Sequence, residues 1–230
     1  MDEEIARALE NGTSRNLAHA RAEQDRGLSR VGWKISAALP ALRQRLGLDG
    51  WTVSALTAGG SLDEPVFTLT ENRRIYLEAG IAVRLGTSLP ADVSAEEAAE
   101  SIEGFAPAVE FLDFSLGSDD LEEIASHGFF HAASWIGGAL GGFHELAPDH
   151  PVILRDGEAV TAPSPELALN DPTALIRGAA SLLDRYDERF DGGDWLLCGP
   201  LVHPTPCNVG EHLEIDFGPM GKLSVVIEAG

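Results

Sequence analysis

Two glutamates and one lysine stand in settings that suit chemistry. Glu78 lies in "RIYLEAGIAVRL" (Arg74 to Leu85), where Ile75, Leu77, Ala79, Ile81, Val83 and Leu85 recur at a strand's period. Side chains alternate across a strand, so Glu78 and Gly80 share the opposite face. Glu110 sits inside the apolar run of "FAPAVEFLDFSL", where an ionised carboxylate is costly unless it is paired or bound to a metal. Asp113, three residues on, falls on the other face of that strand. Two glutamates on neighbouring strands that face one pocket would suit a hard divalent cation such as Mg²⁺, which takes one or two carboxylates together with water and substrate oxygens. Lys34, between Trp33 and Ile35 in "VGWKI", would have its pKa lowered by burial into the range of acid/base work. Plainer readings stand beside these: a solvent-facing acid at Glu78, and a lysine snorkelling from a strand edge at Lys34.

The elements that must position these residues are largely strands. Strand patterns run through "WTVSALT", "PVFTLT", "IYLEAGIAVRL", "APAVEFLDF", "HAASWIGGAL", "PVILRDGEAV" and "DWLLCGP". In "HLEIDFGPMGKLSVVI" two alternating runs flank a Gly-Pro-Met-Gly turn, which predicts a hairpin. The first thirty residues read as helix, broken at Asn11-Gly12 and restarted at Thr13-Ser14. "LPALRQRLG" reads as a short helix stopped by Gly47, Ser94 and Glu97 form a capping box, and Asp171-Pro172 open a longer helix. These patterns predict an α+β protein with a mainly β core and helices packed outside. Residues 1–30 form a helical flank and residues 31–230 the main domain.

Bulk composition narrows the partners. Lys and Arg number 16 against 37 Asp and Glu, a net charge of −21, which repels nucleic-acid phosphates and anionic membrane surfaces. Neither a nucleic acid nor a membrane is expected as a partner. "MDEEIARALENG" lacks the basic and apolar regions of a signal peptide, and no apolar run approaches a membrane span. The cytoplasm is the default expectation, with Cys198 and Cys207 as reduced thiols.

Five blocks carry a resemblance: "VGWKISAALPALRQRLGLDG", "LEAGIAVRLGTSLP", "APAVEFLDFSL", "NDPTALIRGAASLLDRYDERFDGGDWLLCGP" and "GEHLEIDFGPMGKLSVVI". In that order and spacing, from about Val31 to the C-terminus, the chain resembles the 2-keto-4-pentenoate hydratase and 2-oxo-hexenedioate decarboxylase branch of the fumarylacetoacetate hydrolase family. The resemblance implies a mixed β-roll with flanking helices, a small-molecule oxo-acid substrate and assembly into homo-oligomers. It also implies Mg²⁺ or Mn²⁺ bound by a Glu-x-Glu pair and a third glutamate, with Glu78 first of the pair, Glu110 third, and Gly80 in the place of the second. Metal affinity should then be weakened or lost, and Gly80→Glu should strengthen it. The family's Asp-Asn-Ala-Ser type segment corresponds to "IASHGFFH", which puts Ser126 and His127 beside Lys34 as candidate catalytic residues, with His131 nearby as a structural histidine. The implied activity is that of a lyase on a 2-hydroxy-2,4-dienoate or 2-oxo-enoate, a hydratase or a decarboxylase, working through a metal-stabilised enolate. Gly80 and the altered segment motivate two alternatives: a non-catalytic partner subunit, or a metal-free tautomerase relying on Lys34 and a histidine.

Overall fold

The alternation over residues 75–85 builds the central strand of the larger of two sheets. The computed structural model describes residues 1–117, 119–145, 147 and 149–230. In chain order the elements are α1 (Glu3–Asp25), β1 (Arg30–Ser36), α2 (Pro40–Leu46), β2 (Thr52–Thr57), β3 (Val66–Leu69) and β4 (Ile75–Leu85). There follow α3 (Ala95–Glu100), β5 (Ile102–Asp113), α4 (Leu121–Ser126), β6 (His131–Ile136), β7 (Val152–Arg155) and β8 (Glu158–Thr161). The chain closes with α5 (Pro172–Asp184), β9 (Trp195–Pro200), β10 (Thr205–Pro206), β11 (His212–Asp216) and β12 (Lys222–Ala229). A seven-stranded sheet runs β2-β1-β9-β4-β5-β6, with β10 added against β4, and a five-stranded sheet runs β3-β12-β11-β7-β8. The β1–β9 and β12–β3 pairs are parallel and the remaining strand pairs antiparallel. This is the expected α+β mixed β-roll.

The large sheet is rolled. Leu62 after β2 donates its N–H to the Ser134 carbonyl of β6 at 2.8 Å, and Ser61 bridges to Ser134, so the two ends of the sheet meet. The odd positions of β4, Ile75 to Leu85, are fully buried in the main core, against Ile153, Leu213, Ile215, Val225 and Ile227 of the second sheet. Glu78, Gly80 and Ala82 point the other way, into the roll, as do Ala108 and Glu110 of β5. Ala82 and Ala108 pack there with Leu56 and Leu197 in a small separate core.

Three local expectations change. The N-terminal helix is continuous through Asn11-Gly12, and Gly12 and Thr13 are buried. A Cβ at Gly12 would lie 2.4 Å from the Glu122 carbonyl of α4, so this glycine permits the close α1–α4 crossing. Packing there outweighs the roughly 1 kcal/mol propensity cost of a mid-helix glycine. "PVILRDGEAV" is a hairpin, β7 and β8, turned at Asp156-Gly157, both at positive φ. Lys34 is no edge residue, because β1 lies between β2 and β9. Among the described residues no helix is long and apolar enough to cross a membrane, and both cysteines are free, their thiols pushed up to about 12 by burial.

Candidate functional site

Glu78 and Glu110 are directly opposed across the antiparallel β4–β5 pair. Directly opposed residues have Cβ atoms only about 5 Å apart, and like charges there repel. Lys34 answers that repulsion from an element that a flat sheet would hold out of reach. With β9 and β4 intervening, β1 would lie three strand spacings, about 14 Å, from β5. Because the sheet rolls, the Lys34 Nζ donates to Glu110 Oε1, and also to the Gly128 carbonyl at 3.1 Å. His131, the first residue of β6, brings its Nδ1 to 2.8 Å from the same Glu110 oxygen. Relative exposures of 2% for Lys34, 6% for Glu78 and 5% for Glu110 mark all three as buried.

The two carboxyls have opposite electrostatics. Burial, followed by the neighbouring Glu110 charge, raises Glu78 to about 8, with Lys34 only partly opposing. Glu110 is lowered, since burial, which alone would raise it, is outweighed by the Lys34 charge and the His131 hydrogen bond. Near neutral pH the cluster therefore holds a proton on Glu78 and an anion at Glu110. Both face a cavity of about 280 Å³ together with Lys34, and the walls include Leu112, Phe114, Phe129 and Phe130.

A strained turn completes the cavity. Gly128, Phe129 and Phe130 all have positive φ, at 59°, 55° and 70°, a conformation costly for bulky side chains. The turn aims the Gly128 carbonyl at Lys34 and sets both phenylalanines in the cavity wall. The Asp113 N–H bonds the Phe130 carbonyl at 2.8 Å and holds it there. Nothing in the apolar text of "GFFH" distinguished these residues from ordinary core.

Ser126 and His127 lie elsewhere. Ser126 ends α4 and donates to the Glu123 carbonyl at 2.8 Å, and the His127 Nδ1 is 3.0 Å from that carbonyl. Both open onto a groove behind the cluster, lined also by Asn16, His19 and Gly60, and neither lines the cavity of Glu78 and Glu110. Both side chains fold back onto the last turn of α4 through the Glu123 carbonyl. His131, read as structural, is the histidine that reaches the cluster.

Gly80 also has a different explanation. An ideal Cβ at Gly80 would lie 2.3 Å from the Gly199 carbonyl oxygen of β9, where Pro200 pairs with Gly80 and the Leu201 N–H bonds the Ala79 carbonyl at 2.9 Å. The neighbouring backbone fills the place that a second carboxylate would need. Gly80→Glu is therefore expected to lose folded protein and to bind Mn²⁺ no more tightly, contrary to the expectation from sequence. Even Gly80→Ala should cost about 1–3 kcal/mol in urea denaturation.

Two carboxylates remain as donors for a cation, and among the described residues no three His, Cys, Asp or Glu side chains gather into a metal-ligating group. Glu78 has no hydrogen-bonding or ion-pair partner among the described residues although it is buried, and Glu110 offers the oxygen that Lys34 and His131 leave unused. An unpartnered buried carboxylate beside an anionic one fits a hard divalent ion at the two-carboxylate limit.

The chain is similar to a 4-oxalocrotonate decarboxylase of Pseudomonas sp, 25% identical over 217 residues that span 87% of this chain and 79% of that protein. The solved 4-oxalocrotonate decarboxylase from Pseudomonas putida G7, complexed with magnesium and adipate, matches with a TM-score of 0.79 at 19% identity, covering 92% of this chain and 83% of the other. Fumarylpyruvate hydrolase from Pseudomonas aeruginosa, in complex with Mn²⁺ and pyruvate, matches with a TM-score of 0.61 at 14% identity, covering 88% and 91%. No protein-family model matches the chain. The resemblance to the hydratase and decarboxylase branch of the fumarylacetoacetate hydrolase family is borne out by the curated relative and by the shared fold.

Proposed function

We propose that this chain is a lyase of 2-oxo-enoates and their 2-hydroxy-dienoate tautomers, with decarboxylation favoured over hydration by its likeness to a decarboxylase. The observation that carries the reading is the buried Lys34–Glu110–His131 cluster, which faces the buried Glu78 carboxyl across one cavity. Lys34 would exchange a proton with the conjugated carbon or oxygen of the substrate. Glu110, anchored by His131, would keep the ammonium aimed into the cavity and balance its charge. Apolar walls from Phe129 and Phe130 would exclude bulk water and strengthen those electrostatic contacts. Glu78 and Glu110 would hold a divalent cation, which when bound supplies positive charge for the developing enolate oxygen. In decarboxylation the electron pair of the breaking C–C bond passes into the conjugated oxo-enoate as CO₂ leaves, and a proton then quenches the dienolate. The lack of a third carboxylate favours one alternative, a tautomerase that moves the same proton without a metal.

Ultraviolet absorbance of 2-hydroxyhexa-2,4-dienedioate and 2-hydroxypenta-2,4-dienoate tests this, run with Mg²⁺, with Mn²⁺ and with a chelator, alongside CO₂ release. Metal-dependent loss of the diacid's dienol band with equimolar CO₂ is the expected result. Loss without CO₂ and without metal would replace the lyase by the tautomerase. No loss in any arm would overturn both.

A further inference from the structure

The chain is nearly free of lysine. Of its 16 Lys and Arg residues only two are lysine, Lys34 and Lys222. Lys222 is an exposed residue of β12 that pairs with Glu214 at 2.8 Å and with Asp216 at 3.1 Å. A largely buried cation close to Lys34 in sequence, Arg30, is an arginine and pairs with Asp191 at 2.6 Å and with Asp194 at 3.0 Å, a task that a guanidinium performs well. At position 34 the cation faces a cavity instead, and there the chain carries the one side chain of the two that can shed a proton and become a nucleophile.

The setting of Lys34 suits that use. Its Nζ donates to Glu110 Oε1 and to the Gly128 carbonyl, which leaves one of its three N–H positions without a partner among the described residues. Leu112, Phe129 and Phe130 wall the same cavity, whose volume of about 280 Å³ has room for a small oxo acid. Lysines in apolar pockets form Schiff bases with carbonyl compounds, and Glu110 is in direct contact to accept the proton that the ammonium gives up. The donor set for a divalent cation stops at two carboxylates, because the Gly199 carbonyl fills the place of another beside Gly80. A covalent electron sink therefore has a use here.

We propose that Lys34 is a nucleophile that captures the carbonyl of 2-oxo acids as an iminium ion, an activity that goes beyond the proton and metal roles of the lyase reading. Glu110 takes a proton from the ammonium, and the freed lone pair forms the C–N bond as the carbonyl π pair moves to oxygen. Glu110 then passes its proton to that oxygen, takes a second from the nitrogen and returns it to the hydroxyl. The hydroxyl leaves as water while the nitrogen lone pair closes the C=N bond. Ammonium and ketone have become an iminium and one water, and Glu110 ends as the anion it began. On a 2-oxo-enoate that loses CO₂, the electron pair of the breaking C–C bond passes into the iminium and leaves a neutral enamine. Protonation at carbon and hydrolysis by one water then release the product and restore the ammonium.

Reductive trapping with pyruvate and cyanoborohydride, read as the mass of the intact chain and of its proteolytic peptides, tests the nucleophile without turnover. With a chelator present, the peptide that carries Lys34 is expected to gain the mass of one pyruvic acid less one oxygen atom, at least about tenfold faster than the peptide that carries Lys222. Lactate, which has no carbonyl, should give no adduct. Glu110→Gln, which cannot take the proton, should slow the Lys34 adduct several-fold, and Lys34→Met should abolish it. Lys222 is the reference amine within the same natural chain, so the comparison holds even if a variant fails to fold. No adduct on Lys34, or one formed there no faster than on Lys222, would overturn the proposal. If Lys34 is trapped but neither dienoate is consumed, the lyase reading fails and the nucleophile stands. Metal-dependent CO₂ release by a chain whose Lys34 is never trapped would keep the lyase and remove the nucleophile.

Discussion

Replacing Lys34 by methionine should lower turnover by about 10²–10⁴-fold, the range for loss of a positioned general acid/base. The same change strands Glu110 as a buried anion held only by His131, and breaking a buried pair from one side costs about 3–5 kcal/mol. The two effects separate in the double variant Lys34→Met/Glu110→Leu, which removes both charges. Its stability should return to near that of the natural chain, because a buried ion pair replaced by apolar groups of similar volume is often neutral. Its activity should stay lost. Urea denaturation and steady-state assay on the single and double variants check this. Activity recovered together with stability would mean that Lys34 only holds the fold.

Glu78→Gln should raise the melting temperature by about 5–10 °C at pH 8, with the gain fading towards pH 5. The sign follows from its carboxyl being raised from 4.5 to about 8 by burial and by Glu110. Between those values the unfolded chain ionises Glu78 while the folded chain keeps it protonated, so folding loses stability as pH rises through the window. The loss is complete above about pH 8 and amounts to a few kcal/mol. Glutamine keeps the shape and cannot ionise. Glu110 is shifted the other way, so its contribution is lost on acidification; the variant-minus-natural difference cancels most of that background. Divalent metal adds a second readout. A cation that binds only the folded site stabilises it by mass action, so Mn²⁺ should raise the melting temperature of the natural chain at pH 8 and leave Glu78→Gln unmoved. A melting difference that ignores pH would remove the buried, protonated carboxyl from the account. A Mn²⁺ shift surviving in Glu78→Gln would remove that residue from the metal site.

Several features were set by local chemistry and could be read from the text of the chain. The alternation over residues 75–85 put Glu78 and Gly80 on the face opposite the apolar stripe, because the two-residue period belongs to the extended backbone itself. Ser94 with Glu97, Gly47 after α2 and Asp171-Pro172 before α5 marked helix ends through bonds made within a few residues. The pairing of Glu110 with something cationic followed from the cost of burying a charge in an apolar run. What required the tertiary structure were contacts set by sheet curvature and by the close approach of distant strands. Lys34 reaches Glu110 only because the sheet rolls on itself. Ser126 and His127, adjacent in sequence to the turn that lines the cavity, line a different groove, their side chains folded back on the Glu123 carbonyl of α4. Gly80 is a glycine because the Gly199 carbonyl of β9 presses against it, and no periodicity within β4 records the path of a strand more than a hundred residues later. The sequence by itself determined which residues share a face, whereas the roll of the sheet decided which faces meet.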